Sequence, residues 1–332
     1  MILIFGSVTG VTSLSAQDPT KEYTKTSLNM GAHFEVIAVD SDSIRALQAI
    51  ELAYQEIDRI EKLISSWQAT SQTTRINEAA GISPVVVDEE LYNLIYRCLK
   101  ISRLTQGAYD ISFAGMGDIW KFNGQELEEL PDSTQVAVAS GLVNYKNVML
   151  DRDQHSVFLT QPGMKIGFGS IGKGYAANRA MEIMKQHGIR SGMINAGGDL
   201  ISWGKNVNHE AWSVGIANPD KDQGIAGWLA LEDVALVTSG DYEKFFTFNQ
   251  QRYGHIIDPR TGYPAMGIKS VSVICPDAEL ADALATAVYV LGRVEGLQLL
   301  NQLTGVEGLL ITSDNQMLKS KNLDLSLYTV IE

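Results

Sequence analysis

Asp282 and Thr286 stand four residues apart in Ala281-Asp282-Ala283-Leu284-Ala285-Thr286, a spacing that places a carboxylate and a hydroxyl on one face of a helix. Such a pair is a hard-oxygen half-site of the kind Mg²⁺ accepts. Two other segments carry matching chemistry. In Gly167-Phe168-Gly169-Ser170-Ile171-Gly172-Lys173-Gly174 a glycine-rich turn leads into a predicted helix. Amides, the positive helix end and the Lys173 charge there suit a phosphate. His255 precedes the turn Asp258-Pro259-Arg260-Thr261-Gly262 at a predicted strand end. An imidazole of pKa near 6.5 is the natural proton acceptor for an attacking hydroxyl. Metal half-site, phosphate cradle and base together point to chemistry at a phosphate.

Each motif also has a purely architectural explanation. Gly167-x-Gly169-x-x-Gly172 fits the dinucleotide fingerprint, but the next acid at a strand turn is Asp199, 27 residues past Gly172, and no second βαβ unit follows. Gly167-x₄-Gly172-Lys173 nearly fits a P-loop, but Gly174 stands where that loop needs Ser or Thr for Mg²⁺. This disfavours an NTPase. The glycines are otherwise explained by a turn for packing alone. Asn195-Ala196-Gly197-Gly198-Asp199 is either a hairpin closed by an Asx turn or a backbone wall against a flat ligand with Asp199 as acceptor. Asp258 caps its turn, and Asp282 and Thr286 have readings as a helix cap and a back-bonded hydroxyl.

Composition narrows the classes. The chain has 332 residues, 45% hydrophobic and 20% charged, as a soluble globular protein does. A net charge of −13 argues against nucleic acid or an anionic membrane as partner. An anionic substrate therefore needs local positive potential from metal, lysine and helix ends. Cys98 and Cys275, both in apolar runs, exclude a disulfide framework and leave a structural zinc without ligands. Residues 1–16 carry no charge and turn to small residues before Gln17, resembling the core and cleavage region of a signal peptide. Export, to the periplasm or a membrane surface, is the expectation; no cysteine nearby marks a lipid anchor.

Residues 17–29 read as a polar linker and residues 30–332 as one domain. Within it His33–Val39 reads as a strand, and Ser43 as the cap of an amphipathic helix with Ile44, Leu47, Ile50, Tyr54, Ile57, Ile60 and Leu63 inward. Asp88-Glu89-Glu90 opens another helix, and a third runs from Lys173 to His187 with Gly188 past its end. Helices over 278–291 and 294–303 precede a last strand at Leu309–Thr312. Strands outnumber helices without a regular βαβ alternation, which predicts an α+β fold of mixed or antiparallel sheets with packed helices.

In their order the motifs resemble the ApbE-type flavin transferase family, the FAD:protein FMN transferases. The matching segments are Met30-Gly31, Ser71-x₃-Arg75-Ile76-Asn77, Thr105–Asp110, Ile171–Ala176, Asn195–Asp199, Ser239-Gly240-Asp241-Tyr242, His255–Gly262 and Ala281–Thr286. The resemblance implies an exported enzyme that splits FAD with Mg²⁺, moves FMN to a Ser or Thr of an acceptor flavoprotein such as a subunit of a membrane redox complex, and releases AMP. It implies an FAD cleft between two parts of one domain. On this reading Asp282, Thr286 and a backbone carbonyl near Ser170 hold Mg²⁺; Ser170, Gly172, Lys173 and Gly174 cradle the diphosphate; His255 is the base, with Asp258 orienting its loop. Met30, Trp67, Asp110, Gly198, Asp199, Ser239, Asp241 and Tyr242 hold the flavin and adenosine parts. The chain departs from the family pattern at Ala32 (usually Thr), Trp67 (often Tyr), Gln72 (usually Glu), and Gly167 and Asn178 (commonly Asp). Trp67 keeps an aromatic face, while Gly167 and Asn178 each remove a carboxylate expected near the phosphate loop. An FAD pyrophosphatase giving FMN and AMP, or a non-catalytic FAD carrier, is the alternative.

Overall fold

The computed structural model describes residues 20–217, 224–242, 244–324 and 328–329; the expected leader, residues 1–16, lies outside them. The chain opens with strands β1 (Lys21–Asn29) and β2 (Ala32–Asp40), then helices α1 (Ser43–Ile64) and α2 (Gln72–Glu78). Strand β3 (Val85–Val86) and helix α3 (Glu89–Leu104) lead to a 3₁₀ segment (Ile111–Asp118) and α4 (Ser133–Ser140). Next come β4 (Val148–Asp151), β5 (Ser156–Leu159), α5 (Gly172–Gln186), β6 (Ser191–Ala196), β7 (Asp199–Trp203), β8 (Trp212–Ala217), β9 (Ile225–Leu231) and β10 (Ala235–Gly240). The last third holds β11 (Phe245–Phe248), β12 (Gln251–Gly254), β13 (Ile268–Cys275), α6 (Ala278–Gln302), β14 (Glu307–Thr312), β15 (Met317–Lys319) and β16 (Tyr328–Thr329).

Eight strands form one antiparallel sheet in the order β1-β2-β6-β7-β10-β13-β14-β15. Period-2 alternation sorts its side chains onto two faces. From β2, Phe34, Val36 and Ala38 join the main core with α1, α5 and α6, while Ile37 and Val39 join a second core against Trp212, Val214, Leu229 and Leu231 of β8 and β9. The result is three layers: helices, large sheet, small sheet. The α+β class with antiparallel sheets is as the sequence predicts.

Three local expectations change. Of the segment expected as a linker, Lys21–Asn29 form β1, paired with β2 from Lys21↔Asp40 to Asn29↔Ala32. Its pattern is polar because β1 is an edge strand, largely exposed, that stays ordered through its backbone ladder. The β1–β2 loop is the two residues Met30 and Gly31, both at positive φ (51° and 72°), the geometry of a tight hairpin turn. The cap of α1 is Asp42, whose carboxylate accepts the Ile44 and Arg45 amides at 2.9 and 3.1 Å, so Ser43 is the first helical residue. Ile44 and Leu47 lie off the face that Ala46, Ile50, Ala53, Ile57 and Ile60 bury, and are 67% and 54% exposed.

Helix α6 is long and apolar enough to cross a membrane, yet Ala281, Leu284, Ala285 and Val288 are buried in the main core. Gly292 breaks it with φ 76°, where the sequence predicts two helices.

Candidate active site

A cleft of about 490 Å³ opens where the α5 and α6 N-terminal turns meet the β1–β2 hairpin and the segments around the 3₁₀ helix and β12. Ten predicted site residues line it: Met30, Trp67, Asp110, Ser170, Lys173, Asp199, Ser239, His255, Asp282 and Thr286. Its walls come from residues as distant as 30 and 286, so only the folded sheet assembles it.

Asp282 sits one turn into α6, 4% exposed, and Thr286 follows on the same face. The Ser239 and Thr286 hydroxyl oxygens lie 3.4 Å apart. One Asp282 oxygen accepts the Gly174 N–H at 3.1 Å, so the carboxylate also rests on the positive end of α5. This contact requires glycine: a Cβ at 174 would lie 2.2 Å from the Ala278 carbonyl oxygen and 2.9 Å from Asp282 Cβ. A Cβ at Gly172 would meet Ile64 and Met30 side chains at 2.8 and 3.3 Å. Both glycines serve helix packing and neither lines the cleft. The Ile171 and Gly172 amides donate to the Phe168 carbonyl, at 3.2 and 2.7 Å. The cradle expected from Ser170 through Gly174 is therefore narrower than the motif suggests, since three of its amides are bound internally. Gly174→Ala is expected to destabilise the fold by about 1–3 kcal/mol or more by forcing α5 from α6, read as a lower urea midpoint.

Lys173 reaches across to Asp199, with Nζ 2.8 Å from Oδ2. Asp199 is 2% exposed; burial pushes its carboxyl upward and the Lys173 charge opposes this. Gly197 lines the cleft beside it, while Gly198 turns away, its N–H bound to Asn195 at 2.8 Å. Asp110 caps the 3₁₀ helix, accepting the Ser112 amide and hydroxyl at 2.8 and 2.7 Å and the Tyr145 amide at 2.6 Å. Burial raises its carboxyl despite these bonds. Trp67 stands at the rim, 91% exposed, a broad face available to an aromatic ligand.

His255 follows β12. Its N–H donates to the Lys244 carbonyl at 2.9 Å, and its ring meets Phe122 edge-on at 6.4 Å. Nδ1 is buried with no hydrogen-bond partner among the described residues. Burial, then the Lys244 and Lys173 charges, push the imidazole down to about 4. Asp258 does not line the cleft. It builds the following turn, gripping the Arg260 guanidinium at 2.9 and 2.8 Å and the Arg260 amide at 2.9 Å, which fits a loop-orienting part.

Asp241 and Tyr242 flank the cleft without lining it. Asp241 lies 3.7 Å from Arg252, and the Tyr242 ring packs where a Cβ on Gly240 would stand. Asn178 faces elsewhere: its amide donates to Asp277 at 2.7 Å and accepts the Ala278 N–H at 3.0 Å. It thus ties α5 to the start of α6, and an aspartate there would repel Asp277. At Gly167 a Cβ would come within 3.0 Å of Ala114 Cβ. The sequence reading missed Tyr109, Phe113, Phe168, Thr238 and Lys244 in the lining. Lys244 comes into the lining through the β11–β12 pairing, where it stands opposite His255.

The profile of the ApbE family matches residues 30–310. A Klebsiella pneumoniae FAD:protein FMN transferase is 32% identical over 269 residues, covering 80% of this chain and 83% of that protein. A Treponema pallidum protein of the same name is 31% identical over 324 residues, covering 93% and 89%. The crystal structure of a Thermotoga maritima ApbE protein superposes with a TM-score of 0.83 at 31% identity, covering 91% of this chain and 97% of that one.

Proposed function

We propose, given that this chain belongs to the ApbE family, that it is an enzyme that moves FMN from FAD to a Ser or Thr hydroxyl of an acceptor protein, releasing AMP. The observation that carries this reading is the convergence of Asp282, Thr286, Lys173 and His255 on one cleft. A flavin carrier needs neither a buried base nor a metal half-site.

The donor set suits Mg²⁺. Asp282 gives a buried carboxylate, and Thr286, Ser239 and the backbone at Ser170 give neutral oxygens. Among the described residues no three His, Cys, Asp or Glu gather into a cage; a Mg²⁺ held here would complete its shell with waters and phosphate oxygens. Bound there, Mg²⁺ would neutralise diphosphate oxygens as charge develops. This chain's own residues do the rest. Trp67 and Met30 offer surfaces for the flavin. Lys173, held by Asp199, faces the diphosphate. His255, neutral across the physiological range, takes the proton of the acceptor hydroxyl as it attacks the phosphorus on the FMN side. Asp258 keeps the turn after His255 in place.

Export of the chain, with residues 1–16 as leader, and an acceptor in a membrane redox complex belong to the same proposal; the apolar start and the family support them. The test is incubation of the purified chain with FAD, Mg²⁺ and a panel of Thr-containing acceptor domains, read by intact mass. An acceptor gain equal to FMN is expected. Free FMN and AMP without any adduct would make the chain a pyrophosphatase, and FAD bound but uncleaved would make it a carrier.

A further inference from the structure

We propose that Lys244 is a second cationic contact for the diphosphate of FAD, and that it, more than Lys173, supplies the unneutralised positive charge of the cleft. This rests on FAD being the substrate. The hairpin register runs from Phe248↔Gln251 to Phe245↔Gly254. The next pair outward is Lys244 and His255, and the His255 N–H bond to the Lys244 carbonyl extends the ladder to it. Residues directly opposed on two strands project to the same face. Both side chains accordingly line the cleft, so Lys244 stands beside the base at the centre of the expected chemistry.

Charge in the lining makes this position matter. The cleft is lined by Lys173 and Lys244 and by Asp110, Asp199 and Asp282. Lys173 is matched by buried Asp199 at 2.8 Å, so that pair adds little net field. The Asp110 oxygens are held by Ser112 and Tyr145, and burial raises its carboxyl. Counted as formal charges, two lysines stand against three aspartates in the lining, and in a chain of net charge −13 the remainder of the surface offers no help. Among the described residues none forms an ion pair with Lys244. Its ammonium is the lysine charge in the lining left for the ligand.

The test compares Lys244→Met and Lys244→Arg with the unaltered chain, titrating FAD and riboflavin by quenching of flavin fluorescence. Riboflavin shares the ring but has no phosphate. Lys244→Met is expected to weaken FAD binding about tenfold, the lower part of the range for a hydrogen bond to a charged group because the side chain is exposed. Riboflavin binding should stay unchanged and Arg should restore most of the loss. Lys205→Met, which removes an equal charge from a residue 3.8 Å from Glu232 and remote from the cleft, should leave both flavins unaffected. Equal weakening of both flavins by Lys244→Met would mean a disturbed hairpin and overturn the assignment. So would an unaltered preference for FAD. If the unaltered chain itself binds both flavins equally, the diphosphate is not recognised and the reading of FAD as substrate falls first.

Discussion

Exchange of His255 for glutamine is expected to lower FMN transfer roughly 10²–10⁴-fold, the usual contribution of a positioned general base, while FAD binding changes little. Glutamine keeps a comparable volume against Phe122 but cannot take a proton. Single-turnover transfer, set beside FAD titration of the same variant, separates the two effects. The pH profile is a second signature. The imidazole is pushed down to about 4 by burial and by Lys244 and Lys173, so the unprotonated base is present at all pH values above that. For the free enzyme, kcat/KM should therefore hold from neutral pH down past the ordinary histidine range and fall only as pH drops through about 4. Placing an anionic diphosphate beside the ring favours the imidazolium, so the acid limb of kcat should lie at higher pH than that of kcat/KM. The same depression makes folding pH-dependent. Unfolding returns His255 to an ordinary value near 6.5, so the unfolded chain binds the extra proton first. The stability owed to this group is complete above about 6.5 and is lost as pH falls toward 4.

Asp282→Ala should be as damaging, with a loss on the order of 10²–10³-fold typical of removing one stabiliser of transition-state charge. It should also weaken the dependence on added Mg²⁺. The buried carboxylate has a second duty, accepting the Gly174 N–H at 3.1 Å. Alanine leaves that donor unsatisfied, a penalty of about 1–3 kcal/mol. Asp282→Asn keeps a carbonyl oxygen for Gly174 while surrendering the charge. It should retain near-normal unfolding and still lose most transfer, read by urea unfolding and by an Mg²⁺ titration of activity. If the Asn variant transfers FMN at the normal rate, Asp282 is a packing residue and the metal assignment fails.

Ten of the expected residues meet at one cleft, and they were legible because they sit at strand ends, turns and helix starts that the sequence marks with Gly, Pro and Asp. His255 before Asp-Pro-Arg-Thr-Gly, and Asp282 with Thr286 at helical spacing, could be located with no structure. The break at Gly292 was equally plain. The glycine loop was harder, because a glycine reports only that something comes close. At Gly172 and Gly174 that something is a neighbouring helix or side chain. Asn178 misled in the same way, since adjacency in sequence to the loop hides that its side chain faces the start of α6. The strand β1 escaped because a solvated edge strand lacks apolar alternation, its order coming from a ladder formed with β2. Lys244 escaped because nothing in a single strand distinguishes a lysine at a cleft from one in water; only pairing with β12 does.

Among the described residues the β11–β12 hairpin forms a two-stranded sheet of its own, apart from the large sheet. It rests on a small separate core in which Trp120, Phe122, Phe246 and Tyr253 stack at ring distances of 5.1–5.7 Å. Asp282 and Thr286, the proposed metal half-site, stand by contrast on α6, whose Ala281, Leu284 and Ala285 belong to the main core. Segments with small cores open more readily than the whole. The enzyme should thus have an inactivation temperature below its melting temperature: warming would detach His255, the proposed base, while the sheet and the Asp282–Thr286 face persisted, and cooling would restore turnover without refolding.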